Sequence, residues 1–143
     1  MTFPSRSEYE SLVYGLVGAY PEVVSSTLHM YSTSALTSIV QGQVTLSNGL
    51  VLRIVEALDF KRGRILQYSY TVLQDEERVR WYDSQPHPEN PNLASTFPHH
   101  CHKPPGIKHN RHAAPGISFT AANFSTLIAD CLAIDERAPD EGR

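Results

Sequence analysis

Between residues 7 and 20, Tyr9, Leu12, Val13, Leu16, Val17 and Tyr20 recur at helical spacing and fall on one face. The spacing predicts a helix over 7–20. Ser7 and Glu10 read as a capping box, in which each side chain satisfies an otherwise orphaned backbone amide, and Pro21 as the stop. The period then falls to two. Residues 22–32, rich in β-branched residues and serine, predict a strand, and 38–46 alternate Val40, Val44 and Leu46 with Gln41, Gln43 and Thr45. Ser47-Asn48-Gly49 predicts a hairpin with a type I′ turn, because Asn-Gly accepts the positive φ angles that turn requires. Strands are expected at 50–59, 64–73 and 78–82, joined by Lys61-Arg62-Gly63 and Asp75-Glu76-Glu77. Such short turns join antiparallel neighbours, since parallel strands need long crossovers. A last helix is predicted over 120–133, with Phe124, Leu127, Ile128, Cys131 and Leu132 on one face and Thr120 as its cap. The pattern as a whole predicts an α+β fold. Its antiparallel meander sheet would have four to five strands, with an N-terminal and a C-terminal helix packed on one face and the other face open. Residues 1–134 read as one domain and 135–143 as a charged tail.

The stretch 83–117 breaks this pattern. It holds Pro86, Pro88, Pro91, Pro98, Pro104, Pro105 and Pro115, which are seven of the chain's ten prolines. It also holds His87, His99, His100, His102, His109 and His112, six of the seven histidines. The expectation is a long loop at the sheet edge, and loops of that length in small domains tend to carry function.

Composition narrows the classes. The chain has 143 residues, a length for one domain that needs no disulfide or metal merely to fold. No window approaches a membrane span, and the first residues lack the apolar core of a signal peptide. Cys101 and Cys131, far apart, are expected as reduced thiols in a cytoplasmic protein. The net charge is −3, but residues 61–112 carry three more basic than acidic side chains. A basic middle in an acidic protein suits a phosphate-bearing partner; the overall acidity argues against strong non-specific nucleic-acid binding.

Several residue types point to chemistry. Glu56 shares the apolar face of its strand with Leu52, Ile54 and Leu58, so it must be paired or face solvent; a structural ion pair is the plainer reading. Arg78, Arg80 and Tyr82 alternate on one strand, and Tyr68 and Tyr70 on another. Arginine beside tyrosine can bind phosphate and stack on bases, or can be an ordinary solvent face. Imidazole serves as acid or base near neutral pH. One base and one acid suffice to cleave RNA through its 2′-hydroxyl, with a cation against the developing charge. His87, His100, His102 and Arg80 can fill those roles. The same His87, His100 and His102 can instead hold a divalent metal such as Zn or Mg, with Asp83 nearby; or the stretch is a proline-pinned loop without chemistry. Cys101 is a nucleophile only if a base lies beside it and its pKa is lowered. No nucleophile elbow, Walker loop or dinucleotide fingerprint occurs.

The run Arg80-Trp81-Tyr82-Asp83-Ser84-Gln85-Pro86-His87-Pro88, followed by Thr96-Phe97-Pro98-His99-His100-Cys101-His102, resembles the two histidine signatures of TumE-like proteins. The likeness extends upstream to Glu56 and to Gln67-Tyr68-Ser69-Tyr70, covering roughly 50–102. It implies the toxin of a type II toxin–antitoxin pair, whose partner is an antitoxin with a helix-turn-helix domain. The leading expectation is a metal-independent endoribonuclease, with no cofactor and no membrane partner. His87, His100 and His102 would exchange protons, Arg80 would hold phosphate, Asp83 would orient a histidine, and Glu56 would be a supporting or catalytic carboxylate. Tyr68, Tyr70, Arg78, Tyr82 and His99 would bind the RNA. A metal-dependent nuclease on the same histidines and a non-enzymatic protein-binding module are the alternatives, and a homo-oligomer is compatible with either.

Overall fold

A computed structural model describes residues 2–134; the expected tail at 135–143 lies outside the described residues. The chain opens with helix α1 (Arg6–Tyr14). Its capping box is Ser5 with Glu8, two residues earlier than the expected Ser7 with Glu10. Starting there lets Phe3 stack on Tyr9, their ring centroids 5.6 Å apart, which anchors the helix entry. The expected single helix breaks at Gly15, a residue type disfavoured inside a helix, and resumes as the single turn α2 (Leu16–Ala19).

Eight antiparallel strands form one sheet, so the expectation of four to five was too low. They are β1 (Val23–Ser26), β2 (His29–Ser32), β3 (Thr37–Leu46), β4 (Val51–Asp59), β5 (Arg64–Gln74), β6 (Glu77–Asp83), β7 (His100–His102) and β8 (Arg111–Ala113). The order is β1-β3-β4-β5-β6-β7-β8, with β2 also on β3. The segment 22–32 is thus two strands, β1 and β2, each pairing with a different part of β3. Gly42 permits the crossing between them. Its φ is +146°, and a Cβ there would lie 2.6 Å from the Thr27 carbonyl oxygen and 2.7 Å from Leu28 Cα.

Turn chemistry also differs from the expectation. At the β3–β4 turn only Gly49 has positive φ, while Asn48 accepts from the Leu50 amide (3.1 Å) and donates to the Cys131 carbonyl (3.2 Å). Asn48 serves this turn through its side chain, not through a type I′ backbone. The two-residue turn with both φ angles positive is Asp75-Glu76, between β5 and β6.

The largest correction concerns 83–117, which is not one loop. A 3-10 helix (Pro91–Thr96), β7 and β8 lie within it. Thr96 ties these pieces together: its hydroxyl donates to the His99 carbonyl (2.7 Å) and accepts from the Ala114 amide (3.1 Å).

Along β4, buried and more exposed positions alternate, and Leu52, Ile54, Glu56 and Leu58 form the core face. Tyr70 and Tyr82, register partners on β5 and β6, continue that face. Against it pack Tyr9 and Val13 of α1, with Phe124, Leu127 and Ile128 of helix α3 (Phe124–Ala133). The α3 N-cap is Asn123, not Thr120. Asn123 is buried, and its amide donates to the Tyr70 hydroxyl (3.0 Å) and the Ser118 carbonyl (2.9 Å). No described helix is long and apolar enough to cross a membrane.

Candidate functional site

The expected site residues divide between the two faces of the sheet. A β-bulge at Val79 separates Arg80, opposite Val72, from Arg78, opposite Leu73. Arg80 and Tyr82 therefore lie on the core face. Arg78 turns to the other side, where its guanidinium stands 5.1 Å over the Trp81 ring. Arg78, Arg80 and Tyr82 do not share a face, because the bulge resets the alternation.

Glu56 lies wholly in the core and is not part of an ion pair. It accepts hydrogen bonds from Tyr9 (2.6 Å) and Tyr70 (2.5 Å). Burial pushes its carboxyl above the usual glutamate range, and the two hydroxyl donors offset this only in part. Tyr82 donates to Asp130 of α3 (2.7 Å), and burial raises its pKa. Tyr68 stacks on Tyr70 and shares a 2.6 Å hydrogen bond with His99 Nδ1. Phe119 packs beside that histidine, and burial lowers the His99 pKa. Cys101, also on this side, has its thiol pushed up by burial, the opposite of what a nucleophile needs. Burial pushes Cys131 up to about 12.

On the outer face β6 and β7 bring four other residues together. Register pairs Asp83 with His100 and Trp81 with His102, and paired residues share a face. Asp83 Oδ2 lies 3.7 Å from His100 Nε2 and 3.6 Å from His102 Nε2. His102 stacks on Trp81 with ring centroids 4.2 Å apart. The chain leaving β6 folds back over this face, so His87 stands edge-on to His100, ring centroids 5.1 Å apart. That cover explains why two polar side chains on a nominally open face are sealed: His100 is 1% and His102 2% exposed.

Each of the three rings has one nitrogen on an oxygen. His100 Nδ1 meets the Pro98 carbonyl at 3.2 Å, His102 Nδ1 the Ile107 carbonyl at 2.8 Å, and His87 Nδ1 the Glu89 carboxylate at 3.5 Å. A carbonyl only accepts, so the Nδ1 atoms of His100 and His102 carry protons. Their Nε2 atoms, like that of His87, are buried without a hydrogen-bond partner. Burial lowers the His102 pKa, more than the Ile107 carbonyl raises it. Beside His87 an open depression is lined by Pro88, Asn90, Ala94 and Phe97.

Of the expected residues, Asp83, His87, His100 and His102 thus converge, with Arg78 near Trp81 beside them. Glu56, Tyr68, Tyr70, Arg80, Tyr82 and His99 sit on the core side. Three neighbours escaped the sequence reading as site residues: Trp81, Glu89 and Arg111. Arg111 pairs with His102 across β7–β8, and its charge helps lower the His102 pKa. Glu89 follows His87 by two residues, a spacing that hints at contact. Arg111 lies in a strand of three residues, too short to show a period.

Comparison with curated proteins and with solved structures returns no match. Over residues 14–137 the chain matches the family described as Toxin TumE, a span that includes every strand and all four converging residues. A toxin of this kind belongs to a toxin–antitoxin system and has an antitoxin as partner. By that match over most of its length, the chain belongs to the TumE toxin family.

Proposed function

We propose that this toxin cleaves RNA at the outer-face cluster of Asp83, His87, His100 and His102. The observation that carries the reading is three buried imidazole Nε2 atoms without partners, two of them within 3.7 Å of one carboxylate. Unsatisfied polar atoms of this kind are rare in folded proteins and mark sites that await a ligand. With α1 and α3 covering the core face, the outer face beside β6–β8 is where a substrate docks.

Two roles in this reading differ from the sequence expectation. Phosphate is held by Arg111 and Arg78 instead of Arg80, which lies on the wrong side of the sheet. His87 becomes the acid–base group nearest the substrate, since its side chain is the most exposed of the three histidines and lines the open depression, with Nδ1 3.5 Å from Glu89 and only its Nε2 buried. His100 and His102 are too deeply sealed to exchange protons with a 2′-hydroxyl directly and serve as the centre's fixed frame. Glu56 and its tyrosines belong to the scaffold. The antitoxin, with a helix-turn-helix DNA-binding domain, would neutralise the toxin, and its effect on access to His87 follows from the exposure of that depression.

The test is cleavage of mixed RNA by the purified, tag-free chain and by His87→Ala. Cleavage by the wild type that falls at least tenfold in a folded His87→Ala protein supports the reading. Equal cleavage by both places the chemistry elsewhere. A folded wild type that cleaves no RNA but binds a protein partner makes this a binding module.

A further inference from the structure

On the outer face three acceptors converge with no hydrogen between them. One ligand atom each of Asp83, His100 and His102 lies within 4.8 Å of the others, and Asp83 Oδ2 stands 3.7 Å from His100 Nε2 and 3.6 Å from His102 Nε2. Both rings are oriented by Nδ1–H donated to a carbonyl, of Pro98 and Ile107, so both Nε2 atoms are lone pairs when the rings are neutral. The two imidazole lone pairs are shielded from water, and beside the partly exposed carboxylate they repel one another unless a cation lies between them.

A proton and a metal ion are the two candidates. A proton on one ring would satisfy one contact and leave the other Nε2 without a donor. The separations of 3.6 and 3.7 Å are also longer than the ~2.7–2.9 Å of a charge-assisted hydrogen bond. A metal satisfies all three at once. With ligand bonds of ~2.0–2.1 Å, a tetrahedral zinc site has ligand atoms ~3.4 Å apart, close to the separations here. Nδ1–H bonded to a backbone carbonyl is the usual outer contact of a metal-binding imidazole, fixing its tautomer and aim. Two nitrogens and one carboxylate oxygen suit zinc and its transition-metal neighbours; magnesium and calcium prefer oxygen alone.

We propose that Asp83, His100 and His102 hold one divalent transition-metal ion of the zinc type. Three protein ligands leave a fourth position open, the pattern of catalytic instead of purely structural sites. His87, with its own Nε2 buried and unpartnered, is the neighbour of that position. This inference rests on the same cluster as the proposed function, but its test reads metal and not RNA.

The tag-free chain is stripped with chelator and titrated with Zn²⁺ and Co²⁺. The expected result is about one ion per chain, and a visible Co²⁺ absorption of tetrahedral intensity. Asp83→Asn and His102→Gln should each weaken binding at least tenfold, whereas His29→Ala, at an exposed position on β2, should not. Since a variant at a buried position can fail to fold, the wild type decides: no bound ion and no Co²⁺ spectrum would overturn the proposal and assign the cluster a proton. Metal binding without RNA cleavage would uphold this site and sink the ribonuclease reading. Cleavage by a chain that binds no ion would do the reverse.

Discussion

Arg80 and Asp83 stand three residues apart on one strand and point to opposite faces of the sheet, Arg80 beside Tyr82 on the core face and Asp83 against His100 on the outer one. An odd separation along a strand has this consequence, and it removes Arg80 from the histidine cluster. Arg80→Ala should therefore lower stability only through lost packing of its half-buried stem, by about 0.5–3 kcal/mol, without changing the chemistry of the folded fraction. Arg111→Ala should cut RNA cleavage by about a hundredfold, as expected for loss of a cation at a developing phosphate charge. Cleavage rates normalised to folded protein, together with denaturant midpoints, separate the two effects. The opposite ranking would put the site on the core face.

Glu56 predicts a pH dependence of stability. Its folded pKa is raised above the ordinary 4.5 because burial disfavours the charge. A group whose pKa is raised on folding contributes stability that is fully present below its unfolded pKa and is lost as pH rises through the folded value. Stability of the wild type relative to Glu56→Gln should thus fall as the pH rises above the ordinary glutamate value of 4.5. A difference that stays constant or grows with pH would mean that Glu56 is ionised in the fold. Denaturant unfolding of the two proteins at several pH values measures it.

Much of this architecture was legible. The hydrophobic alternation placed β3 to β6 and put Glu56 on the apolar face, and the helical stripe found Tyr9, the residue that meets it. The histidine cluster stood out by density, since six of the seven histidines fall within 83–117, although no strand was expected there. What stayed hidden were features with no periodic signal. A bulge at Val79 leaves no mark in the residue types, yet it turns Arg78 away from Arg80. The strands β7 and β8 have three residues each, and proline on either side of them reads as loop. Glu56 looked like an ion-pair residue because its partners, Tyr9 and Tyr70, come from distant parts of the chain.

The crossing at Gly42 predicts a severe local effect. Alanine there would set its Cβ 2.6 Å from a backbone oxygen, in a conformation that side chains rarely adopt. Gly42→Ala should lose more than about 2 kcal/mol and shift mainly to the insoluble fraction. A soluble variant with an unchanged midpoint would contradict the β1–β3–β2 crossing.

Asn48 predicts a milder one. It bonds both its own turn and the C-terminal end of α3, through the Leu50 amide and the Cys131 carbonyl. Asn48→Ala should lower stability by about 1–2 kcal/mol with an unchanged m-value. A loss below about 0.3 kcal/mol would show that neither bond contributes to folding.

The most direct test of the outer-face site is growth after induction of Asp83→Asn and Glu56→Gln at matched soluble levels, beside the wild type and without antitoxin. Growth arrest that disappears with Asp83→Asn and persists with Glu56→Gln is the predicted result. Arrest that survives Asp83→Asn unchanged, or that is abolished by Glu56→Gln in folded protein, would contradict the assignment.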